Sequence, residues 1–221
     1  MNTITFQERI IPYTDWATLL FIVAFVIIAV NRNVFATRFY EFIRLAISDK
    51  YTKIYKDRSN MLSGFTISMF VVQLLSLSFF ILLLLNQLGI KEKNDGIVFI
   101  QIITFLGVFI LSKYLIEKII ATTFQIEEFN EQFNLLKVSY RTYLGFILLP
   151  INLILYYNTL QSDWIFIVLT SLLVLFNALT YIIAIKIYQN LVMRKLFYFI
   201  LYLCTLEIAP YYFMYYWITK N

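Results

Sequence analysis

The sequence predicts an all-α polytopic membrane protein: a bundle of six transmembrane helices with amphipathic cytoplasmic connectors, forming one integral membrane domain over residues 1–221. Three observations predict it. First, 61% of the 221 residues are hydrophobic and 14% are charged, against roughly 25% charged in a soluble domain. Second, apolar runs recur near the ~20 residues needed to cross about 30 Å of hydrocarbon. Third, the basic residues alternate by connector. Those after the first, third and fifth runs hold 7, 4 and 3 Lys or Arg, and the termini and other connectors hold the remaining 4 of 18. By the positive-inside rule the basic connectors face the cytoplasm and both termini face the periplasm.

Composition also excludes chemistries. The chain has no His, which removes His-based zinc sites, His haem ligation and Ser-His triads. Its one cysteine, Cys204, forms neither an internal disulfide nor a thiolate cluster. No cofactor, metal site or nucleic-acid interface is expected.

The first span is expected over residues 16–30. Its basic charge follows the apolar run instead of preceding it, unlike a cleavable signal peptide. The segment Asn31–Asn60 carries Arg32, Arg38, Arg44, Lys50, Lys53, Lys56 and Arg58. Phe35, Phe39, Phe42, Ile43 and Ala46 recur at helical spacing, the pattern of an amphipathic surface helix. These bases are expected to grip anionic lipid at the cytoplasmic face, or to dock a protein partner in a membrane complex.

The second span, 61–85, holds Gln73 near its centre. The connector Asn86–Gly96 has turn signals at Gly89 and Gly96. The third span, 97–116, runs out through Lys113, Glu117 and Lys118, read as a helix end whose long side chains reach the interface. Thr122–Arg141 reads as a second amphipathic connector, with Ile126, Phe129, Phe133 and Leu136 on its apolar face. Its carboxylates lack the Asp/Asn/Gly loop chemistry of a cation site. The fourth span, 142–160, contains Pro150 and Asn152, and the fifth, 164–187, contains Asn177. The sixth, 197–217, contains Cys204, Glu207, Pro210 and Tyr211.

Glu207 is the hardest residue to explain by packing, because an acid at that depth costs about 2.5–3.5 kcal/mol on insertion scales. Cys204, Glu207 and Tyr211 share a helical stripe, and Pro210 leaves the Leu206 carbonyl without its usual N–H partner. With Gln73, Asn152 and Asn177 at similar depth, they form an expected intramembrane polar site. Two readings stay open: a protonated Glu207 that locks helix packing, and one that exchanges protons or binds a cation.

The segments LYLCTLEIAP (Leu201–Pro210), LLPINL (Leu148–Leu153) and SDKYTKIY (Ser48–Tyr55) carry a resemblance over nearly the whole chain. It resembles a multi-pass membrane family of Bacteroidota catalogued as domain of unknown function four-two-seven-one. The resemblance implies a bacterial inner-membrane protein of the cell envelope and brings no established activity. The expected function is therefore non-enzymatic: an accessory or scaffold subunit of an envelope assembly in secretion or biogenesis. The alternative is a small proton- or cation-coupled transporter using Glu207. A lipid-handling enzyme is a third class, disfavoured by the absence of His and of any Asp within a span.

Overall fold

The computed structural model describes residues 15–46, 50–55, 63–123, 127–158 and 163–187. These fold as helices α1 (Asp15–Val34), α2 (Ala36–Ile43), α3 (Lys50–Ile54), α4 (Gly64–Gln87), α5 (Gly96–Thr123), α6 (Glu127–Tyr157) and α7 (Asp163–Ile187). A 3₁₀ turn over Arg44–Ala46 follows α2. Among the described residues, α1, α4, α5, α6 and α7 are long and apolar enough to cross a membrane. The protein is an integral, polytopic helical membrane protein. The sixth expected span, 197–217, lies outside the described residues.

Local chemistry sets the helix ends. Ser63 caps α4, its hydroxyl accepting from the Thr66 N–H at 3.4 Å. Asp95 caps α5, accepting from the N–H groups of Ile97 and Val98 at 3.0 and 3.2 Å, an arrangement that satisfies donors the helix cannot. Gly89 follows the end of α4 at φ +70°, a conformation glycine adopts without Cβ strain.

Helix α4 is the centre of the bundle and packs against α6, α5 and α1, while α7 packs on α6. Two aromatic-rich cores lie at opposite ends of α4. At the end bearing the Asn86–Gly96 connector, Phe79 stacks on Phe21 with centroids 4.2 Å apart and meets Phe99 at 4.6 Å. Trp16 packs on Phe99 there and donates its indole N–H to the Asn94 carbonyl at 3.3 Å. At the basic end, Phe39, Phe42, Leu45, Tyr51, Phe65 and Met69 form the second core. By contrast, α5 and α7 expose large apolar side chains such as Ile97, Val108 and Ile119, and Trp164, Val174 and Ile182. In an integral membrane protein such surfaces meet acyl chains or other spanning helices.

Three sequence expectations change. The second amphipathic connector and the fourth span are one helix, α6, of 31 residues. No breaker interrupts Glu127–Arg141, and the apolar residues Phe133 and Leu136 are buried in the protein instead of lying on a membrane surface. At 1.5 Å per residue, α6 is about 46 Å long and outreaches a ~30 Å hydrocarbon layer. Helix α5 likewise continues to Thr123, so Lys113 and Glu117 are not a snorkelling helix end. They are 8% and 3% exposed, and Glu117 meets Lys137 on the extension of α6. The first connector is not a free surface helix either. It breaks into α2, the 3₁₀ turn and α3, and Phe42 of α2 packs on Tyr143 and Phe146 of α6 at 5.7 and 6.3 Å.

Candidate functional site

Polar side chains inside this apolar bundle fall into three groups. The first ties helices together. Gln73 on α4 is 2% exposed, and its amide oxygen accepts from the Thr142 hydroxyl of α6 at 2.9 Å. Asn152 on α6 is fully buried and donates to the carbonyl of Ser76 at 2.6 Å and to its hydroxyl at 3.3 Å. Among the described residues its amide oxygen has no hydrogen-bond partner. Asn31, near the end of α1, accepts from the Ser68 hydroxyl of α4 at 2.8 Å. A buried polar group without a partner is costly, so each such pair favours one helix register over its neighbours.

The second group is charged. Glu117 of α5 and Lys137 of α6 form an ion pair, with Lys137 Nζ 3.0 and 3.2 Å from the two carboxylate oxygens. Both side chains are 4% exposed. The ammonium also lies 4.8 Å from the Phe133 ring centroid, a geometry that adds cation–π attraction. Lys113 stands one turn before Glu117, and Arg141 one turn after Lys137. Both border a cleft of about 230 Å³ between α4, α5, α6 and α7, with Gln73 and Asn177 on its wall. The Asn177 amide donates to its own helix at the Leu173 carbonyl, 2.9 Å away.

The third group surrounds Arg38, which the sequence places on a basic membrane-facing surface. The structure buries it to 8% exposure. Its guanidinium donates to Ser63 at 2.6 Å, Thr66 at 2.9 Å and Tyr51 at 3.3 Å. It also sits 4.7 Å from the Tyr55 ring and 4.9 Å from the Phe65 ring. Burial pushes the Tyr51 phenol above its ordinary range, and the adjacent Arg38 charge pulls it part of the way back. Arg38 thus clamps α2 and α3 onto the start of α4.

Of the expected basic face, Arg32, Arg44 and Lys50 are exposed. Arg44 lies over the Tyr40 ring at 4.2 Å, and Lys50 pairs with Glu41 at 3.0 Å. Lys53 falls in α3; Lys56 and Arg58 lie outside the described residues. Of the expected intramembrane site, Gln73 and Asn177 share the cleft. Asn152 is held by Ser76 in a separate contact. Glu207, Cys204, Tyr211 and Pro210 lie outside the described residues.

Sequence reasoning missed Gly145, where a Cβ would stand 2.8 Å from the Gln73 Cα, and the Glu117–Lys137 pair. The first left no signal, as one of five glycines. The second was available as two oppositely charged residues flanking a short break in the apolar pattern. Among the described residues, no group of three or more acidic, Cys or His side chains is placed to hold a metal ion.

Residues 17–218 match a family model described as "Domain of unknown function (DUF4271)". Neither a curated protein nor a solved structure matches the chain.

Proposed function

We propose a function for this chain, which belongs to the DUF4271 family, as a non-enzymatic accessory or scaffold subunit of an assembly in the bacterial cell envelope. It resides in the inner membrane with its basic connectors in the cytoplasm. The observation that supports this most is the use of the buried polar groups. Gln73 with Thr142, Asn152 with Ser76, Asn31 with Ser68 and Glu117 with Lys137 each join two helices. Polarity spent on interhelical contacts fixes a rigid body. The apolar faces of α5 and α7 then give that body a surface for other spanning helices.

Affinity purification from native membranes in mild detergent tests this reading. A stoichiometric partner protein is expected. A monodisperse chain that brings nothing with it contradicts the subunit reading.

A second reading has one observation in its favour. Gln73 and Asn177 border the same cleft as Lys113 and Arg141, and polar groups gathered between spanning helices suit ion movement. In that case the protein is a small proton- or cation-coupled transporter with Glu207 as its ionisable group. Glu207→Gln then abolishes flux while the protein still accumulates. Unchanged flux in that variant removes the transporter reading.

A further inference from the structure

One spanning helix turns polar groups away from the bundle. On α5, Ile97, Val108, Leu115 and Ile119 are 72%, 60%, 57% and 65% exposed. Gln101, Thr104 and Ser112 are exposed among them. Together these residues recur every three or four positions, so they share one helical face. That face is about 33 Å long at 1.5 Å per residue. The charges of the helix point the other way. Lys113 and Glu117 are buried, and no exposed residue from Ile97 to Ile116 is charged.

The three polar groups lie at hydrocarbon depth. Gly96, where α5 starts, faces the Trp16 ring, and Trp marks the edge of a bilayer. Counted from there, Gln101, Thr104 and Ser112 stand about 8, 12 and 24 Å into a ~30 Å layer. Among the described residues none of these three side chains has a hydrogen-bond partner. Further along the same helix, by contrast, Thr122 and Thr123 donate to the Lys118 and Ile119 carbonyls at 3.0 and 2.9 Å. Acyl chains offer nothing to an amide or a hydroxyl, so an outward polar side chain at such depth is best satisfied by another spanning helix.

We propose that this face of α5 joins two copies of the chain. The chemistry of the face selects a second copy. Amide and hydroxyl groups both donate and accept, so each pairs with its own kind, whereas a charge would repel its own kind. Two copies in one membrane share an orientation, so their α5 helices run parallel about a two-fold axis along the bilayer normal. Every residue then meets its counterpart at equal depth. The Gln101 amides bond each other, the Thr104 and Ser112 hydroxyls lie on the same seam, and the Val108 side chains pack together between them. The pairing goes beyond the subunit role and does not rest on it, so co-purification of another protein and self-pairing through α5 can fail separately.

The test uses the full chain in native membranes. Val108→Cys, in a Cys204→Ser background, is oxidised mildly and run without reductant. A disulfide-linked species of twice the chain mass is expected, because the crossing brings the two positions within disulfide reach. Val174→Cys in the same background is 65% exposed on α7, at a similar depth of about 17 Å, and is expected to stay monomeric. Energy transfer between labelled copies diluted in lipid vesicles then gives the dissociation constant. Gln101→Leu is expected to raise it about tenfold, and Gln101→Asn, which keeps a self-pairing amide, to restore most of the loss. Because Gln101 is exposed, Leu there leaves the chain folded, and accumulation of the variant verifies it. Absence of the Val108 dimer overturns the proposal and leaves the face to acyl chains. Equal dimer at Val108 and Val174 overturns it as collision alone. Cross-linking of Val108→Cys to a different protein overturns it and assigns the face to that partner. With Cys204 retained, a quantitative internal disulfide to Val108→Cys gives the face to the chain's own C-terminal segment and overturns it too. So does a dissociation constant that Gln101→Leu leaves unmoved.

Discussion

Gly145 of α6 lies so close to Gln73 of α4 that a Cβ built on it stands 2.8 Å from the Gln73 Cα and 3.0 Å from its Cβ. The nearest obstacle is backbone, so no side-chain rotation relieves it. This is the tightest crossing described for any glycine of the bundle. One turn before it, Thr142 donates to the same Gln73. Close approach through a small residue and an interhelical hydrogen bond therefore act on one contact.

Gly145→Ala is expected to push α4 and α6 apart and to cost about 1–3 kcal/mol, the usual range for overpacking. The measurement is thermal unfolding of the detergent-solubilised protein, where the variant melts several degrees lower. A variant as stable as wild type contradicts the crossing. Gly107, which has open space around its Cβ position, serves as the control, since its replacement by Ala leaves the melting temperature unchanged or higher.

The Glu117–Lys137 pair should show strong coupling. Removing one partner of a buried pair leaves an uncompensated charge and costs about 3–5 kcal/mol. Lys137→Met alone is therefore expected to be severe, and Glu117→Leu with Lys137→Met milder than either single change suggests. A double-mutant cycle on accumulation and melting temperature checks this. Purely additive losses contradict the pairing.

Arg38 should tolerate no cation of a different shape. Its planar fork reaches Ser63, Thr66 and Tyr51 from one side chain, and a lysine ammonium cannot reproduce that geometry. Arg38→Lys is expected to raise hydrogen exchange across α2 and α3 by loosening them from α4. Arg44→Lys, exposed beside Tyr40, leaves exchange unchanged. Equal behaviour of the two variants contradicts the clamp.

Tyr51 gives a pH signature. Its phenol is raised above the ordinary value by burial, so the folded protein favours the protonated form. The stability it contributes is complete below the unfolded value of about 10 and is lost as pH rises from there through the folded value. Wild type should therefore lose melting temperature more steeply than Tyr51→Phe, which has no proton to release, as pH rises above about 10. Parallel slopes contradict the burial of the phenol.

The five described spans were legible because each is a long apolar run, and lipid demands that its backbone bonds close within a helix. Their ends were less so. Glu127–Arg141 has the charge of a connector and the face of a surface helix, and nothing in its residues says that it continues into the next span. Burial of Lys113 and Glu117 was illegible for a related reason. The partner of Glu117 comes from α6, and Lys137 lies 20 residues along the chain from Glu117. Arg38 repeats the point with hydroxyls and rings drawn from α3 and the start of α4. Gln73 and Asn177 were placed at mid-membrane by depth alone, but only the packing separates the buried amide that joins two helices from the half-buried one that bonds its own.

The most direct test of a structural role for the interior polarity replaces one pair with apolar groups of similar shape. Gln73→Leu with Thr142→Val removes both partners together, so no buried group is left without a hydrogen bond. The readout is complementation of a chromosomal deletion of this chain, alongside accumulation and co-purified partner. The account predicts a protein that accumulates, keeps its partner and complements. A protein that accumulates and keeps its partner but fails to complement would contradict it, and would place Gln73 in the working chemistry of the cleft.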